Sequence, residues 1–376
     1  MSNSGGKRLL VLTSATGAGH DTHASATADW CRRLYGARVE VTIAHELEDS
    51  HFFYRGAVEF YNQIQRRAPW FHHIYYNTIE LLELLNPGTV SLGREHYVAL
   101  LERVRPDAVL SVHDCLNRGY FELAKEVLGP AVKCATFCAE FEGGYGFSRN
   151  WVNARGDYYF ARTAEVAREA VRRGMDRDRT LVSGHWAPVA FYEGGEPKPP
   201  KPERFTLLLS TGGNSAQNHR EVLRALRPLA DQLEVIALCG RDEPARLELE
   251  DWARRESPVP LRALGFSHEM PKLLRSASAV VARGGATTAG EALLCGCPMI
   301  FNGFGGMMPQ EMPTWRYFCQ RGMGFSAWTG NQIRAHVARW LDAPDDYAEV
   351  VERMKAARDD TTPRASLGKL LGLAAD

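Results

Sequence analysis

The sequence lacks a long apolar segment and a secretion signal. Nowhere do about 18 apolar residues follow one another, so no transmembrane helix is predicted. The polar N-terminus, Met1–Lys7, leads directly into an apolar run, without the charged and then apolar order of a signal peptide. We therefore predict a cytoplasmic protein.

The chain also lacks an excess of charge of either sign, because 45 Lys and Arg residues balance 45 Asp and Glu residues. Proteins that bind nucleic acids generally need many basic residues to displace counterions. No nucleic-acid partner is therefore predicted.

No C-x-x-C pair occurs among the eight cysteines. Most of them lie in apolar segments, where reduced and buried thiols are usual. Cys295 and Cys297 form a lone C-x-C pair, which lacks the ligand set that zinc requires. A metal or redox pair is therefore only the minor alternative at these two residues.

Short apolar, β-branched runs alternate with amphipathic helical stretches along the whole chain, which predicts an α/β fold with parallel sheets and crossover helices. The predicted strands are 8–13, 38–44, 108–112, 133–138, 158–161, 180–183, 205–210, 233–239, 260–263, 279–282 and 298–301. Residues 331–358 are predicted to be helical, from a continuous amphipathic pattern.

The length of 376 residues is typical of two domains rather than one. The segment 194–203 contains four prolines and two glycines, so it cannot sustain a helix or a central strand. We predict an N-terminal domain over 1–193, a linker over 194–204 and a C-terminal domain over 205–376, both domains Rossmann-like. The domain prediction leaves one option open, in which the final helix of the C-terminal domain packs on the N-terminal domain.

A glycine-rich turn follows the first predicted strand. Gly17 and Gly19 allow close approach of a ligand to the backbone, and the helix that follows favours negative charge at its start. Thr22 stands where a dinucleotide fingerprint would have its third glycine, which disfavours an NAD site. His20 lies at the junction of turn and helix, where a general base would meet an acceptor; a capping role is the alternative.

Polar and glycine residues also follow the strands of the second half. A second glycine-rich turn is suited to a diphosphate, Glu291 near the start of a helix can accept both ribose hydroxyls, and Gln310 and Glu311 can bond hexose hydroxyls. The predicted donor-binding residues are Gly212, Gly213, Asn214, Ser215, Gly240, Arg241, Phe266, Met270, Arg283, Gly285, Thr287, Thr288, Glu291, Gln310 and Glu311.

The order of these motifs resembles glycosyltransferase family 28, in particular the monogalactosyldiacylglycerol synthases and the processive diacylglycerol glucosyltransferases. The resemblance spans nearly the whole chain. Its markers are the motifs at 17–20, 239–242, 265–266, 284–293 and 309–311.

The resemblance implies a GT-B fold, in which two Rossmann-like doubly wound domains face a central cleft. It implies that the domain over 1–193 binds the acceptor and that the domain over 205–376 binds the nucleotide sugar. It also implies a UDP-sugar donor, inversion at the anomeric carbon, and no cofactor or essential metal. Glu291 would bind the ribose and Phe266 the uracil. Residues 212–215 and Thr287 would bind the diphosphate, and His20 would lie near the reacting centre.

Two departures from the family pattern concern the acceptor and the diphosphate. The stretch that corresponds to the family's Thr-Asp-Leu segment reads Phe137-Cys-Ala-Glu140-Phe here, with Glu140 in place of the Asp. The family's later His-Pro is absent, and Ser148-Arg149-Asn150-Trp151 stands in that region. Glu140 is therefore a second candidate base or base-orienting group, and Gly17, Gly19, Arg149 and Trp151 are the candidate acceptor-binding residues. Arg283 replaces the family's lysine and is predicted to add a cation at the diphosphate.

Residues 51–76 interleave aromatic and basic side chains, a pattern that suits a membrane interface or a lipid-phosphate acceptor. A buried helix face with a solvated back is the alternative. We predict a lipid-linked or prenyl-phosphate acceptor in glycolipid or phosphoglycolipid antibiotic biosynthesis, with peripheral membrane contact. A natural-product transferase with a soluble acceptor and a UDP-sugar 2-epimerase remain as alternative functions.

Overall fold

The computed structural model describes residues 6–17, 19–85, 89–90, 92–194, 202, 204–210 and 218–374. Most of the predicted linker, residues 195–201 and 203, lies outside these ranges. The chain divides into two compact units. The first unit is Met1–Asn62, His73–Val189 and Asp360–Asp376, and the second unit is Gln63–His72 and Ala190–Asp359.

Twelve strands are formed by the part of the chain that the structure describes. They are β1 Lys7–Thr13, β2 Val39–His45, β3 Ala108–Ser111, β4 Lys133–Cys138, β5 Tyr158–Ala161, β6 Thr180–Val182, β7 Phe205–Leu209, β8 Leu233–Leu238, β9 Leu261–Leu264, β10 Ala279–Ala282, β11 Met299–Asn302 and β12 Gly324–Ala327.

The α-helices of the same residues cover the faces of the two sheets or connect their strands. They are α1 Gly19–Tyr35, α2 Glu46–Ser50, α3 Phe52–Arg67, α4 His72–Leu85, α5 Arg94–Val104, α6 Tyr120–Leu128, α7 Ala164–Arg172, α8 His219–Ala225, α9 Glu243–Glu256, α10 Met270–Ser276, α11 Ala286–Leu294, α12 Met312–Gln320, α13 Gly330–Asp342, α14 Pro344–Ala357 and α15 Arg364–Leu371. Among them, none is both long enough and apolar enough to cross a membrane.

The first unit is built on a parallel sheet with the strand order β2-β1-β3-β4-β5-β6. The order reverses at β1, so the connections after β1 and β3 leave on opposite faces of the sheet. In open α/β sheets, ligands bind in the crevice that such a reversal leaves at the carboxyl ends of the strands. The sequence between Thr13 and His20 and the residues after Ser111 therefore lie at the site-forming edge.

The core of the first unit lies between this sheet and its helices. Leu10, Leu12 and Val109 are fully buried and pack with Phe121 and Cys134. Strands covered on both faces must be apolar throughout, which explains the uninterrupted apolar runs in the sequence. The final helix, α15, packs against α1 and β4 of this unit.

The second unit contains a parallel sheet with the order β12-β11-β10-β7-β8-β9. This is the strand order of the dinucleotide-binding folds, with the reversal between β7 and β10. Its core joins strand side chains such as Leu207 and Val235 to Trp340 and Tyr347 of the C-terminal helices. The Tyr347 hydroxyl donates to the carbonyl of Ser278 at 2.9 Å, which ties α14 to the start of β10.

The sequence-based prediction of secondary structure is confirmed for eleven strands, each within one residue of its predicted ends. It is wrong in two places. β12 is missed, because only Phe325 carries a strong strand propensity and the strand is stabilised by pairing with β11. The predicted helix 331–358 is two helices, because Pro344 lacks the N–H needed to continue α13 and instead begins α14.

Candidate active site

The glycine-rich turn after β1 is held by side chains of the first unit. Glu48 accepts from the Ser14 hydroxyl at 2.8 Å and from the Ala15 amide at 2.5 Å. The Gly17 amide donates to Asn62 Oδ1 at 3.1 Å, and Gly17 has a φ of 75°, which a side chain would strain. The amides of Ala15 and Gly17 are therefore already bonded. That Gly17 and Gly19 contact an acceptor stays a prediction.

His20 lies in the first turn of α1, at the reversal of the sheet. Its Nδ1 is 2.8 Å from the carbonyl oxygen of Val112, the residue that follows β3. A carbonyl can only accept, so Nδ1 carries a proton, and the tautomer with this bond has its lone pair at Nε2. The ring of Trp151 lies 6.1 Å away, centre to centre, and supports the imidazole from one side.

His113 is a site residue that the sequence analysis missed. Its ring lies 4.3 Å from that of His20, Nδ1 accepts from the Cys115 amide at 3.1 Å, and Nε2 lies 2.7 Å from the Thr16 hydroxyl. Burial first, and the neighbouring His20 second, lower the pKa of His113 to about 3. His113 is therefore neutral and donates from Nε2 to Thr16, which anchors the turn. Its position as the second residue after β3 is the signal that could have found it.

One group of metal-binding residue types occurs among the described residues, at His113, Asp114 and Cys115, whose ligand atoms lie within 4.8 Å of one another. Nδ1 of His113 is already the acceptor of the Cys115 amide. A ligand role for this nitrogen would therefore break an existing hydrogen bond. The prediction that no metal is essential stays a prediction.

A second histidine of α1 anchors the helix that carries His20. His23 donates from Nδ1 to the carbonyl of Trp186 at 2.7 Å, and its Nε2 accepts from Arg162 at 3.3 Å. Burial and the adjacent guanidinium lower the pKa of His23 to about 3. Trp30 adds a bond from its indole N–H to the carbonyl of Ala187 at 2.9 Å. These contacts hold α1 against Arg162 and against the segment with Trp186 and Ala187.

The other predicted acceptor-side residues lie beyond β4. Glu140 is buried, 8% exposed, two residues after the end of β4. Arg149 donates from its amide to Glu80 at 3.2 Å and adds a 3.6 Å ion pair from Nε. Trp151 is 3% exposed and belongs to an apolar cluster, so its ring packs beside His20 instead of lying open to an acceptor. Acceptor binding by Arg149 and Trp151 stays a prediction.

In the second unit, the predicted base-binding residues form an exposed platform. Gly240, with a φ of 61°, turns the chain after β8, and the guanidinium of Arg241 lies 4.7 Å from the ring centre of Phe266. The Phe266 side chain is 50% exposed, and His268 contacts it edge-on at 5.0 Å. An aromatic ring left open to solvent beside a cation is suited to stacking a planar base. Met270 begins α10, immediately after this segment.

The start of α11 carries the predicted diphosphate and ribose residues. Gly285 is the residue before the helix, and Thr287 and Thr288 lie in its first turn. Glu291 follows three and four positions later and therefore shares their face of the helix. Glu291 is 8% exposed, whereas Ala289 on the opposite face is fully buried. The predicted residues Gly212, Gly213, Asn214 and Ser215 lie outside the described residues.

Arg283 and Glu311 bond to each other. Arg283 donates from Nε and Nη2 to the two carboxylate oxygens of Glu311, at 2.9 and 2.6 Å. The same guanidinium donates to the carbonyls of Phe304 and Gly306, at 3.0 and 2.8 Å. Gln310, half-buried, precedes Glu311 and reaches the sulfur of Met308 at 3.8 Å. That Arg283 binds a diphosphate and Glu311 a sugar hydroxyl stays a prediction, because neither role is visible in these contacts.

Two family models match this chain. The model of the glycosyltransferase family 28 C-terminal domain matches residues 207–304, and the model of monogalactosyldiacylglycerol (MGDG) synthase matches residues 20–185. The matches contain Glu291 and His20, respectively. These matches confirm the resemblance to glycosyltransferase family 28 that the sequence motifs indicate. The enzyme class predicted from the sequence, a UDP-sugar-dependent glycosyltransferase, is thereby confirmed.

Similar proteins and structures agree with the family. A probable monogalactosyldiacylglycerol synthase 2 of Oryza sativa subsp. japonica is 25% identical over 366 residues, which cover 89% of this chain and 74% of that protein. A processive diacylglycerol beta-glucosyltransferase of Staphylococcus carnosus is 22% identical, over 93% of this chain and 88% of that protein. The structure of Acinetobacter baumannii MurG matches 97% of this chain and 99% of its own, with 14% identity and a TM-score of 0.62. The predicted α/β fold of the GT-B class is confirmed.

Proposed function

We propose that this family 28 enzyme transfers a hexose from UDP to a hydroxyl group of a lipid-linked acceptor, with inversion and without a metal. The observation that carries the donor half is the placement of Glu291 on the same face of α11 as Thr287 and Thr288. A carboxylate there accepts two ribose hydroxyls while the helix start and the threonine hydroxyls face phosphate oxygens. The platform of Phe266 and Arg241 takes the uracil.

The start of α11 is also the group that stabilises the leaving UDP. Negative charge builds up on the diphosphate as the bond to the sugar breaks. Amides at a helix start, together with threonine hydroxyls, stabilise that charge without reorganising. This is the role that a metal ion has in metal-dependent transferases, and we propose that α11 replaces it here.

His20 is the base in this proposal. The acceptor hydroxyl gives its proton to Nε2 of His20, and the oxygen attacks the anomeric carbon on the face opposite UDP. The hydrogen bond from Nδ1 to Val112 supports this assignment, because it leaves the lone pair on Nε2 and stabilises the imidazolium that forms. We propose that Glu140, which is buried just beyond β4, contributes a negative charge in the unit that binds the acceptor.

The lipid acceptor is supported by the names of the relatives, which are diacylglycerol glycosyltransferases. The chain departs from their pattern at Glu140 and around Arg149. The proposal therefore keeps two lipid acceptors, a diacylglycerol with its free hydroxyl and a hydroxyl of a group carried on a prenyl phosphate. Assays in mixed micelles with each acceptor separate the two. Transfer of the sugar to soluble acceptors alone would contradict a lipid acceptor.

Calorimetry with UDP, dTDP and GDP tests the donor. We expect a heat of binding with UDP. At a UDP concentration of 100 times the dissociation constant, the free energy of unfolding is expected to rise by about 2.7 kcal/mol.

Excess EDTA tests metal independence, and turnover in excess EDTA is expected to equal turnover without it. Absence of heat with every nucleoside diphosphate would refute the donor proposal, and loss of turnover in EDTA would refute metal independence.

A membrane contact is supported by exposed apolar side chains on α3. Phe52, Phe53 and Phe60 are 78%, 60% and 51% exposed. Phe60 follows Phe52 by eight positions and Phe53 by seven, which places its side chain on the same side of the helix as theirs. Apolar side chains exposed in a stripe are typical of helices that lie at a membrane surface. Ile74 and Leu81 of α4 are exposed as well, at 57% and 61%. The side chains of Arg66 and Arg67 lie outside the described residues.

Flotation with phosphatidylglycerol vesicles tests this contact. We expect the wild-type protein to float with the vesicles and the triple variant Phe52→Ser, Phe53→Ser, Phe60→Ser to remain below. Leu247→Ser is the matched control, because Leu247 is 51% exposed on α9. Equal flotation of the triple variant and the control would remove α3 from the membrane contact.

A further inference from the structure

Arg283 has few donors left for a ligand. The guanidinium group has five N–H bonds. Four of them are directed at Glu311, Phe304 and Gly306, all within the second unit. The charge of the guanidinium is balanced by the carboxylate it contacts in a bidentate manner. A group in this state is poorly suited to neutralise a diphosphate.

Glu311 is equally committed. Its side chain is buried, one oxygen accepts from Arg283 Nε, and the other accepts from Arg283 Nη2 and from the Met308 amide at 2.8 Å. A buried carboxylate with three such donors is held in one orientation. It therefore has a structural partner that a sugar hydroxyl would have to displace.

The segment 303–311 is held at several points by these bonds. Arg283, directly after β10, fixes the carbonyls of Phe304 and Gly306 and the carboxylate of Glu311 at once. Gly284 allows this approach, because a Cβ at this position would lie 2.8 Å from Glu311 Cβ. Gln310 is thereby placed by the residues on either side of it.

We propose that Arg283 is a positioning residue, which through its ion pair with Glu311 fixes the segment 303–311 so that Gln310 meets the donor sugar. Arg283 does not bind the diphosphate. This inference rests on the proposed function, since it assigns the sugar contact within the same donor site. It also explains why arginine serves here, because a lysine ammonium cannot match both carboxylate oxygens and two carbonyls in one plane.

The experiment compares UDP with UDP-hexose as ligands. Arg283→Lys and Glu311→Gln are expected to leave the dissociation constant of UDP within twofold of wild type. The same variants are expected to lower kcat/KM for UDP-hexose by about tenfold or more. They are also expected to reduce the ratio of the kcat/KM values for two epimeric UDP-hexoses. Arg339→Met is the control, because Arg339 forms a surface ion pair with Asp346 at 2.7 Å and lies on α13.

A loss of UDP affinity in Arg283→Lys that equals its loss of UDP-hexose affinity would overturn the proposal, because it would place the guanidinium on the diphosphate. Amide hydrogen exchange of the segment 303–311, measured without nucleotide, is an independent readout. Exchange must rise in both variants and not in Arg339→Met; unchanged exchange would also overturn the proposal. If the wild-type protein binds no UDP, the proposed function fails, while the exchange result still decides whether the ion pair holds the segment.

Discussion

Replacing His20 by alanine is expected to lower kcat by about 10²–10⁴-fold, the usual contribution of a general base. The structure gives the physical reason, since the Val112 carbonyl fixes the proton on Nδ1 and leaves Nε2 to accept the acceptor's proton. The dissociation constant of UDP is expected to stay near the wild-type value, because His20 lies in the first unit and the proposed nucleotide residues lie in the second. Steady-state kinetics and calorimetry on one preparation measure both quantities.

His336→Ala is the matched control for this variant. His336 also bonds a carbonyl, with Nε2 2.9 Å from the oxygen of Ser326, but it lies on α13 of the second unit. Its removal therefore reports the cost of losing a histidine–carbonyl bond that has no proposed part in proton transfer. A His20→Ala variant with the same turnover as the control would exclude His20 as the base. If Glu140→Gln then shows the ~10²–10⁴-fold loss of kcat while His20→Ala does not, the base is Glu140.

Replacing Glu291 by alanine is expected to weaken UDP binding by about 10- to 100-fold, because hydrogen bonds to a charged group contribute ~1.5–3 kcal/mol. Glu291 lies on the face of α11 that carries Thr287 and Thr288, so its loss is expected to act at the proposed nucleotide site. Calorimetric titration with UDP measures the effect. Glu352→Ala is the control, because Glu352 is an exposed helix carboxylate that pairs with Lys355.

A ligand lacking the ribose hydroxyls sharpens the test of Glu291. The wild-type protein should bind UDP more tightly than 2′,3′-dideoxy-UDP, and Glu291→Ala should bind the two with equal affinity. The double comparison isolates the carboxylate–ribose interaction from any general effect on α11. Retention of the full preference for UDP in Glu291→Ala would show that the ribose is bound elsewhere.

Local patterns in the sequence place several candidate residues correctly after the strands of the structure, while their roles stay predictions. An apolar run followed by glycine or polar residues and then by a helical pattern shows where a strand ends. This pattern points to His20, Gly240, Thr287 and Glu291. Within one parallel sheet these ends lie at one edge, so Gly240, Thr287 and Glu291 of the second unit can be assigned together although they are far apart in the chain. β12 escapes because its formation depends on pairing with β11 rather than on its own residues.

Side-chain partners could not be predicted in the same way. His113 belongs to no recognisable sequence motif. Its ring lies next to that of His20 because β1 pairs with β3. The pairing of Arg283 with Glu311 depends on the path of the intervening 27 residues, which folds the segment 303–311 back on the end of β10. The sequence alone favours a ligand role for both residues, because each is a charged residue in a segment that follows a predicted strand.

The sequence by itself determined the α/β class, eleven of the strands and the order of the motifs that point to family 28, because each of these is encoded in neighbouring residues. Only the tertiary structure decided which nitrogen of His20 is protonated, that His113 supports it, and that Arg283 is paired with Glu311. The physical reason is that hydrogen bonding and charge compensation are set by distances between residues that the chain brings together only on folding.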